Sequence, residues 1–496
     1  MTSIDDKGRS DSAVMRVLIV AALTMAVVST LGTPLIPEIS AKKNVSLEDA
    51  QWMLTVTMLV GAIATPVIGR LGDGSRRKRV LIATLATVFV GLVITASAGS
   101  FAQMLIGRGI QGVGYGTVPL AIAYARHHIG PDLQARAIAA LSVTVAVGAG
   151  LGYPLTGLIA QLFDFHVAFW FGALCCAASL TAVALLLPSD SGADHKVRVD
   201  YVGAAILGAG LTALLVAISR GASWGWSSNA VLGLLGASFV LLTGWGWFEM
   251  RSADPIIDLR LSAKPAVLGA NTGALLMGAG MFIGMSLVNR LVQTPTSAGY
   301  GFGASLFVSG LVLLPLSFGS LVAQPIARTV TERRGVRVVL PAGAVAVAIT
   351  LLVASAAHDH LFELFAVTAM LGVGIGTTFA AMPALIVSQV PHSRVGSAMS
   401  TNQVLRSVGG ALGSAIAASV LAAKTPTGSI YPTSDAYTLA FLIGSALCVV
   451  AGVAAFALVP ARRAQPVEGE ELALLMQESG TSAGVGPSIF DGEDGD

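Results

Sequence analysis

Long apolar segments, fourteen in all, divide this sequence of 496 residues. A helix of about 20 apolar residues spans the hydrocarbon core of a bilayer, where only helices and closed barrels satisfy their backbone hydrogen bonds. The segments are 16–37, 50–68, 80–98, 101–124, 136–160, 167–187, 201–219, 230–250, 266–289, 303–325, 338–356, 361–388, 398–422 and 437–459. The sequence therefore predicts an all-α membrane protein, and the even number of segments places both termini on the same side.

The composition agrees with this class. Charged residues make up 11% of the chain, whereas soluble proteins carry roughly a quarter. The net charge of +2 gives no reason to expect a nucleic-acid partner. The three cysteines, Cys175, Cys176 and Cys448, lie inside apolar segments without disulfide or metal spacing. The polar first residues show no cleavable signal pattern, so we expect the first segment to be retained.

Lysine and arginine are distributed unevenly between the two predicted sides of the membrane. Of the 29, 22 fall on one side, five fall on the other, and Arg108 and Arg406 lie inside segments. Loops rich in these residues stay in the cytoplasm. We therefore predict a plasma-membrane protein with both termini cytoplasmic.

The loop Gly69–Val80, GRLGDGSRRKRV, joins the second and third segments and combines five cations with the carboxylate of Asp73. A topology signal would explain only the cations. It would not explain why Asp73 follows two glycines, Gly69 and Gly72. Glycine allows a second helix to approach closely, and a carboxylate there can accept hydrogen bonds from a helix N-terminus or an arginine. We therefore favour an interhelical latch over a topology signal only.

This loop resembles the motif G-x-L-x-D-x-x-G-R-K/R of the major facilitator superfamily, which joins the second and third helices. The matching residues are Gly69, Leu71, Asp73, Arg77 and Lys78. Gly74 stands where the family usually has arginine, and Arg76 where it usually has the second glycine. The resemblance implies a cytoplasmic latch and a major facilitator fold of two six-helix bundles.

The fourth segment contains Arg108 in the run MLIGRGIQGVGYG. An arginine at the centre of a bilayer costs at least ~2.5 kcal/mol, so it should face a cavity or a partner. The alternative, an arginine reaching to the headgroups, is disfavoured because Arg108 lies several residues inside the boundary. With Gln111 and Gly112 it forms R-x-x-Q-G-x-G, which resembles the family's fourth-helix motif. That resemblance implies a role for Arg108 in proton coupling.

The fifth segment repeats small residues every four positions, at Gly148, Gly152 and Thr156, which favours close helix packing. Pro154 should bend this helix. The run resembles the family's antiporter motif G-x-x-x-G-P-x-x-G-G, although the proline is one place late and Thr156 replaces a glycine. The matching glycines are Gly148, Gly152 and Gly157. The resemblance implies export, while generic glycine packing stays open as the alternative.

With two additional segments, the chain resembles the 14-helix drug:proton antiporters of the multidrug efflux type. Gln403 and Arg406 lie three apart on the penultimate segment and could both face a central cavity, either for substrate contact or for packing. Related exporters carry an aspartate nine residues before the proline that aligns with Pro37, and here that position is Val28. Without a central acid, we expect neutral or weakly anionic substrates. Asp73 is the best-placed acid, but the proton carrier stays open.

The predicted domains follow from the segments. They are 1–15, a cytoplasmic N-terminus; 16–187, an N-terminal six-helix bundle; 188–265, a linker with two additional transmembrane helices; 266–459, a C-terminal six-helix bundle; and 460–496, a cytoplasmic acidic tail.

The predicted function is proton-driven export of amphipathic organic compounds or drugs by alternating access. A narrow-specificity metabolite exporter, a proton-independent facilitator, and a non-transporting sensor or scaffold are the alternatives. We expect small-molecule substrate, protons and membrane lipid as partners, a monomer, and neither a cofactor nor a metal. No nucleotide-binding loop or nucleophile–base pair points to an enzyme.

Overall fold

The computed structural model describes residues 2–32, 35–45, 47–189, 200–252, 254–426, 429 and 431–459. Residues 190–199 of the predicted linker and the predicted tail, 460–496, lie outside the described residues. Helices are the only regular secondary structure within the described ranges. The α-helices are α1 Thr2–Thr30, α2 Ile36–Lys43, α3 Leu47–Gly72, α4 Arg77–Ala96, α5 Phe101–Gln111, α6 Thr117–His128, α7 Pro131–Leu162, α8 Phe165–Leu186, α9 Tyr201–Trp224, α10 Asn229–Glu249, α11 Leu259–Ser262, α12 Pro265–Gln293, α13 Leu306–Arg334, α14 Val336–Ala356, α15 Leu361–Val387, α16 Val395–Ala423 and α17 Ser434–Leu458.

Within these ranges, 13 helices are long and apolar enough to cross a membrane. The difference from fourteen lies in the fourth predicted segment, 101–124. It is helical throughout but consists of α5, a 3₁₀ turn at Gly112–Gly116, and α6. Three of the five residues of this turn are glycine, which is a poor α-helix former. Neither α5 nor α6 is long enough to span a membrane by itself.

The predicted end of the first segment, at residue 37, is wrong, because α1 ends at Thr30 and a separate helix α2 begins at Ile36. Gly32 lies in the turn between them, and a Cβ atom there would lie 3.2 Å from Nη2 of Arg108. Pro37 falls in the first turn of α2, where its missing N–H is not needed by the helix.

The helices pack as two bundles. Helices α1 and α3–α8 contact one another in the first bundle, and α12–α17 do so in the second. Helix α9 packs against α3 and α16, while α10 packs mainly against α9, and only 17% of the residues in its apolar stretch are buried. That low burial leaves α10 facing lipid. The predicted architecture, two six-helix bundles with two extra helices, is confirmed.

Two sets of helices meet along the seam between the bundles. Helices α3 and α6 contact α16, and α7 contacts α13 and α15. At the second set, Ser317 Oγ on α13 donates to the carbonyl oxygen of Val147 on α7 at 2.8 Å. The sequence motifs described above lie along this seam or beside it.

Candidate functional site

Asp73 follows α3 directly and joins the two bundles. Its Oδ1 accepts the backbone N–H of Gly396 at 2.6 Å, and its Oδ2 accepts that of Ser397 at 3.1 Å. These N–H groups belong to the first turn of α16, where the helix provides no internal acceptor and the helix dipole attracts negative charge. Asp73 is 7% exposed. We call these two hydrogen bonds the latch.

Glycines bring the backbones of α3 and α16 together at the latch. A Cβ atom on Gly69 would lie 2.6 Å from the carbonyl oxygen of Gly396, and one on Gly396 would lie 2.8 Å from Oδ1 of Asp73. Both separations are shorter than a carbon–oxygen contact allows. A Cβ atom on Gly72 would lie 2.6 Å from a side-chain carbon of Leu120 on α6. Gly69 and Gly396 thus allow the seam to close, whereas Gly72 allows α3 to approach α6 within the first bundle.

The pKa of Asp73 is raised to about 6, because burial outweighs the stabilisation of the carboxylate by the Ser397 side chain, by the N–H groups of Gly396 and Ser397, and by Arg70. The carboxylate is therefore mainly ionised at pH 7 and above. In that form both oxygens accept hydrogen bonds, as the latch requires.

The other motif residues of this loop lie around the latch without all entering it. Leu71 is half-buried in the last turn of α3, and Lys78 Nζ donates to the carbonyl oxygen of Leu187 at 2.6 Å. Arg77 is buried, and its Nη2 lies 3.4 Å from the carbonyl oxygen of Asp73. These contacts fix the loop within the first bundle.

Two arginine–histidine pairs lie at the same end. Arg77 Nη2 lies 2.9 Å from Nε2 of His127, and Arg126 Nη2 lies 3.2 Å from Nε2 of His392. The second pair crosses the seam, because Arg126 belongs to α6 and His392 precedes α16. A histidine nitrogen accepts a hydrogen bond from arginine only when it carries no proton. Partial burial and the Arg77 cation lower the pKa of His127 to about 4, so it is neutral at pH 7. Because its pKa lies below the ordinary value of 6.5, acidification below about pH 6.5 destabilises this contact within the first bundle.

The segment between α10 and α12 also contacts both bundles at this end. Arg70 Nη2, on α3, lies 3.3 Å from Oδ1 of Asp254. Arg394 Nη1, just before α16, lies 3.5 Å from the carbonyl oxygen of Pro255. The extra helices are therefore attached to the end of the seam that carries the latch.

Arg108 on α5 is buried at 0% exposure. Its guanidinium has four acceptors: the carbonyl oxygens of Val28, Ser29 and Met53, each at 3.4 Å, and Oε1 of Gln111 at 2.8 Å. Val28 and Ser29 belong to the last turn of α1, whose carbonyls lack partners within the helix. A cation at a helix C-terminus is also favoured by the helix dipole. The guanidinium of Arg108 thus donates hydrogen bonds to acceptors within the protein, and these bonds join α1 and α3 to α5.

Gln111 and Gly112 continue this network. Nε2 of Gln111 donates to the carbonyl oxygen of Gly91 at 3.1 Å and to Oγ1 of Thr95 at 2.8 Å, both on α4. A Cβ atom on Gly112 would lie 3.0 Å from the backbone nitrogen of Gly61 on α3. The three residues that the sequence predicts to act in proton coupling therefore connect four helices of the first bundle.

The glycine run of α7 presents two faces. Gly148 and Gly152 pack against α1, where Cβ atoms would overlap Ala26 and Thr30. Gly157 faces the second bundle, and a Cβ atom there would lie 3.0 Å from the carbonyl oxygen of Leu306. Pro154 also faces α13, since a Cβ atom on Gly310 would lie 2.6 Å from its nitrogen. The last two residues form part of the seam.

Two adjoining cavities, of about 40 and 10 Å³, lie in the seam, and both are lined by Val118 and Gln403. The larger is also lined by Val28, Ser29, Thr57, Gln111 and Tyr115. The smaller is also lined by Phe379, Met382, Met399, Asn402 and Arg406. The described residues of both linings include no carboxylate. Both cavities are much smaller than the ~300 Å³ at which drug-sized pockets begin, so the seam is packed too closely in this state to hold a drug-sized ligand.

Arg406 on α16 is 8% exposed and lines the smaller cavity. Its Nη2 donates to Oε1 of Gln403, one turn earlier, and its guanidinium carbon lies 4.7 Å from the centre of the Phe379 ring. The two candidate substrate residues are therefore bonded to each other and lie beside the cavities.

Sequence reasoning missed the partners across the seam. Gly396 and Ser397 donate the hydrogen bonds of the latch, and Tyr115 interacts electrostatically with both Arg108 and Arg406. A signal for Tyr115 was present, because it directly follows the motif that contains Arg108 and Gln111. Nothing in the sequence alone pairs residue 73 with residue 396.

Comparisons with known proteins agree on one family. The family model described as Major Facilitator Superfamily matches residues 17–317 and 276–483. An MFS-type transporter of Mycobacterium tuberculosis is 29% identical over 426 residues, covering 84% of this chain and 61% of the relative. The chain thus spans about three fifths of that relative's length.

Two other relatives have more specific names. The tetracenomycin C resistance and export protein of Streptomyces glaucescens is 26% identical over 424 residues, covering 83% of this chain and 76% of the relative. A multidrug resistance protein B homologue of Mycobacterium tuberculosis is 26% identical over 382 residues, covering 74% and 68%. Among solved structures, the human organic anion transporter MFSD10 (TETRAN) has a similar fold, with a TM-score of 0.65, 16% identity, and coverage of 90% of this chain and 99% of that chain.

Proposed function

The chain belongs to the Major Facilitator Superfamily, and we propose that it is a proton-driven exporter of amphipathic organic compounds that works by alternating access. Membership makes it a transporter, so the prediction that it is not an enzyme is confirmed. The observation that carries the proposal is the latch, because it joins the bundles at one end of a seam that encloses two cavities. Relatives described as export and multidrug resistance proteins support the choice of export.

Alternating access requires that one end of the seam close while the other opens. The latch holds the end at Asp73 closed through hydrogen bonds between a carboxylate and a helix N-terminus. Hydrogen bonds to charged groups contribute about 1.5–3 kcal/mol each, and differences of a few kcal/mol separate interconverting states. The latch can therefore favour one state without preventing the other.

We propose that the latch end is cytoplasmic and the membrane is the plasma membrane. The support is the excess of lysine and arginine on one predicted side of the membrane, the side that carries the loops at Asp73 and Arg394. The first testable prediction is that a reporter fused after residue 496 reads as cytoplasmic, whereas a tag inserted beside Lys424 is labelled from outside cells. An external C-terminus would contradict this orientation.

Proton coupling rests on Asp73 and the arginine network. Asp73 has a pKa of about 6, which lies near cytoplasmic pH, and its ionised form makes the latch. Because burial at the latch raises the pKa of Asp73, closure of the seam favours proton uptake by Asp73 and opening favours proton release, so protonation and the state of the seam are linked. A second candidate function, a proton-independent facilitator, is favoured because the residues described in either cavity lining include no carboxylate.

Efflux from living cells tests the proposal. Cells expressing the protein and loaded with a fluorescent amphipathic dye should lose the dye faster than cells carrying an empty vector. A protonophore should abolish the difference, because it removes the driving force. Faster efflux that survives the protonophore would favour the facilitator. If expressing cells lost no dye faster than empty-vector cells, across a panel of neutral, anionic and cationic dyes, the result would contradict export.

A further inference from the structure

Arg108 and Arg406 are both deeply buried, at 0% and 8% exposure, but their surroundings differ. Arg108 donates to four acceptors within the protein. Among the described residues, Arg406 donates to Gln403 alone. A guanidinium has five N–H donors, so most of those on Arg406 lack a protein acceptor. Its planar group lies over the Phe379 ring and beside the smaller cavity.

Within the described part of the chain, the positive charge of Arg406 also lacks a nearby counter-charge. Among the described residues, neither cavity lining contains Asp or Glu, and Tyr115 of the first bundle, which interacts with this charge, is uncharged. An unpaired cation in a membrane interior is expensive, and such residues usually serve a ligand or an ion. The protein therefore holds a positive charge, with free donors, beside the smaller cavity of the seam.

We propose that Arg406 is the anion-binding subsite of the transported substrate, which we assign to the class of amphipathic aromatic acids. The proposal rests on the proposed transport function and specifies its substrate. A carboxylate or phenolate of the substrate pairs with the free N–H groups of Arg406. The two parallel N–H groups of a guanidinium match a carboxylate, which makes such a pair both strong and directional.

The rest of the smaller cavity suits the apolar part of such a substrate. Phe379 offers a ring face, and Met382 and Met399 are flexible side chains that adapt to ligands of different shape. Asn402 adds a polar group on the same helix as Arg406. Because the cavities total far less than the volume of an aromatic acid, the substrate binds when the seam widens.

A lipophilic cation does not fit this site. It would meet the charge of Arg406 without a carboxylate to balance it, and like charges in a medium of low dielectric constant repel strongly. A neutral aromatic compound fits the apolar surface but leaves the free donors of Arg406 without acceptors. Affinity should therefore fall from the acid to its neutral ester, and fall again for a cationic analogue.

Binding of two matched probes tests the assignment. Full-length protein in lipid nanodiscs would be titrated with pyrenebutyrate and with its methyl ester, which share the ring and chain but differ in charge. We expect wild-type protein to bind the acid at least tenfold more tightly than the ester. Arg406→Gln should weaken acid binding by about 10- to 100-fold, as expected for loss of a hydrogen-bonded charge partner, and should change ester binding less than about threefold. Arg406→Lys should retain part of the preference, because it keeps the charge but not the fork.

The matched control is Arg290→Gln, which removes an exposed arginine from α12 in the same bundle and should leave both affinities unchanged. Equal affinity of wild-type protein for acid and ester would overturn the proposal, as would an equal loss of both in Arg406→Gln. If Arg406→Gln does not fold, the wild-type ratio and Arg406→Lys decide the question. Binding in nanodiscs needs no proton gradient, so a failure of transport leaves this result standing, and the reverse also holds.

Discussion

We expect Asp73→Asn to reduce substrate efflux at least tenfold while the protein still inserts in the membrane. The asparagine amide has the shape of the carboxylate, but only its oxygen accepts hydrogen bonds. Its NH₂ group would face the N–H of Gly396 or Ser397, leaving one buried donor without an acceptor and removing the negative charge from the helix N-terminus. A loss of about 1.5–3 kcal/mol at the latch would lower the closed population by roughly 10- to 150-fold relative to the open one.

Cysteine labelling reports the state of the seam directly. Ser400 on α16 is 0% exposed and faces Gly69, so Ser400→Cys should be protected from a membrane-impermeant maleimide while the latch is closed. The three native cysteines would first be replaced by serine. In the Asp73→Asn background, labelling from the latch side should increase. Asp132→Asn, at an exposed carboxylate in the first turn of α7, is the matched control and should change neither labelling nor efflux. If Asp73→Asn retained the efflux and the labelling of the wild type, the loop would act only as a topology signal.

Arg108→Ala should abolish transport and also lower thermal stability. The substitution removes the donor for the carbonyls of Val28, Ser29 and Met53, which lie where little water is available to replace it. Each buried polar group left without a partner costs about 1–3 kcal/mol. Arg108→Lys keeps a charge near the end of α1 but has a single donor group, so it should recover part of the stability and little of the transport.

Comparison with Arg406→Ala separates the two arginines. Arg406 has one acceptor in the described part of the chain, so its removal should affect thermal unfolding of the purified protein much less than removal of Arg108. It should abolish the preference for the acid probe instead. An unfolding temperature that falls equally in both variants would contradict the division between a structural and a substrate-binding arginine.

The chemistry of Asp73 was accessible from the sequence, but its partner was not. A carboxylate beside two glycines at a helix end indicates a contact with another helix terminus. Which terminus it meets depends on how two bundles pack, and the hydrophobic pattern of each helix carries no information about that pairing. The latch partners Gly396 and Ser397 therefore required the structure.

The two buried arginines show the same division. Their cost in a bilayer predicts that each needs a partner, and the sequence treats both as candidates for function. Only the end of α1 at Thr30, earlier than the hydrophobic run suggests, leaves the carbonyls of Val28 and Ser29 open to Arg108. The break between α5 and α6 escaped prediction for a related reason. Hydrophobicity fixes the length of a span, whereas the glycines at Gly112–Gly116 and their close neighbours fix its shape.

Coupled flux in proteoliposomes tests the central claim of proton-driven exchange most directly. Purified protein would be reconstituted with a pH-sensitive dye inside, and movements of protons and of pyrenebutyrate would be recorded together under an imposed pH gradient. We predict that the gradient drives substrate against its concentration difference, that substrate accelerates proton movement in the opposite direction, and that Asp73→Asn removes both signals. Substrate that equilibrates at the same rate with and without the gradient, with no substrate-dependent proton movement, would contradict the claim and identify a facilitator.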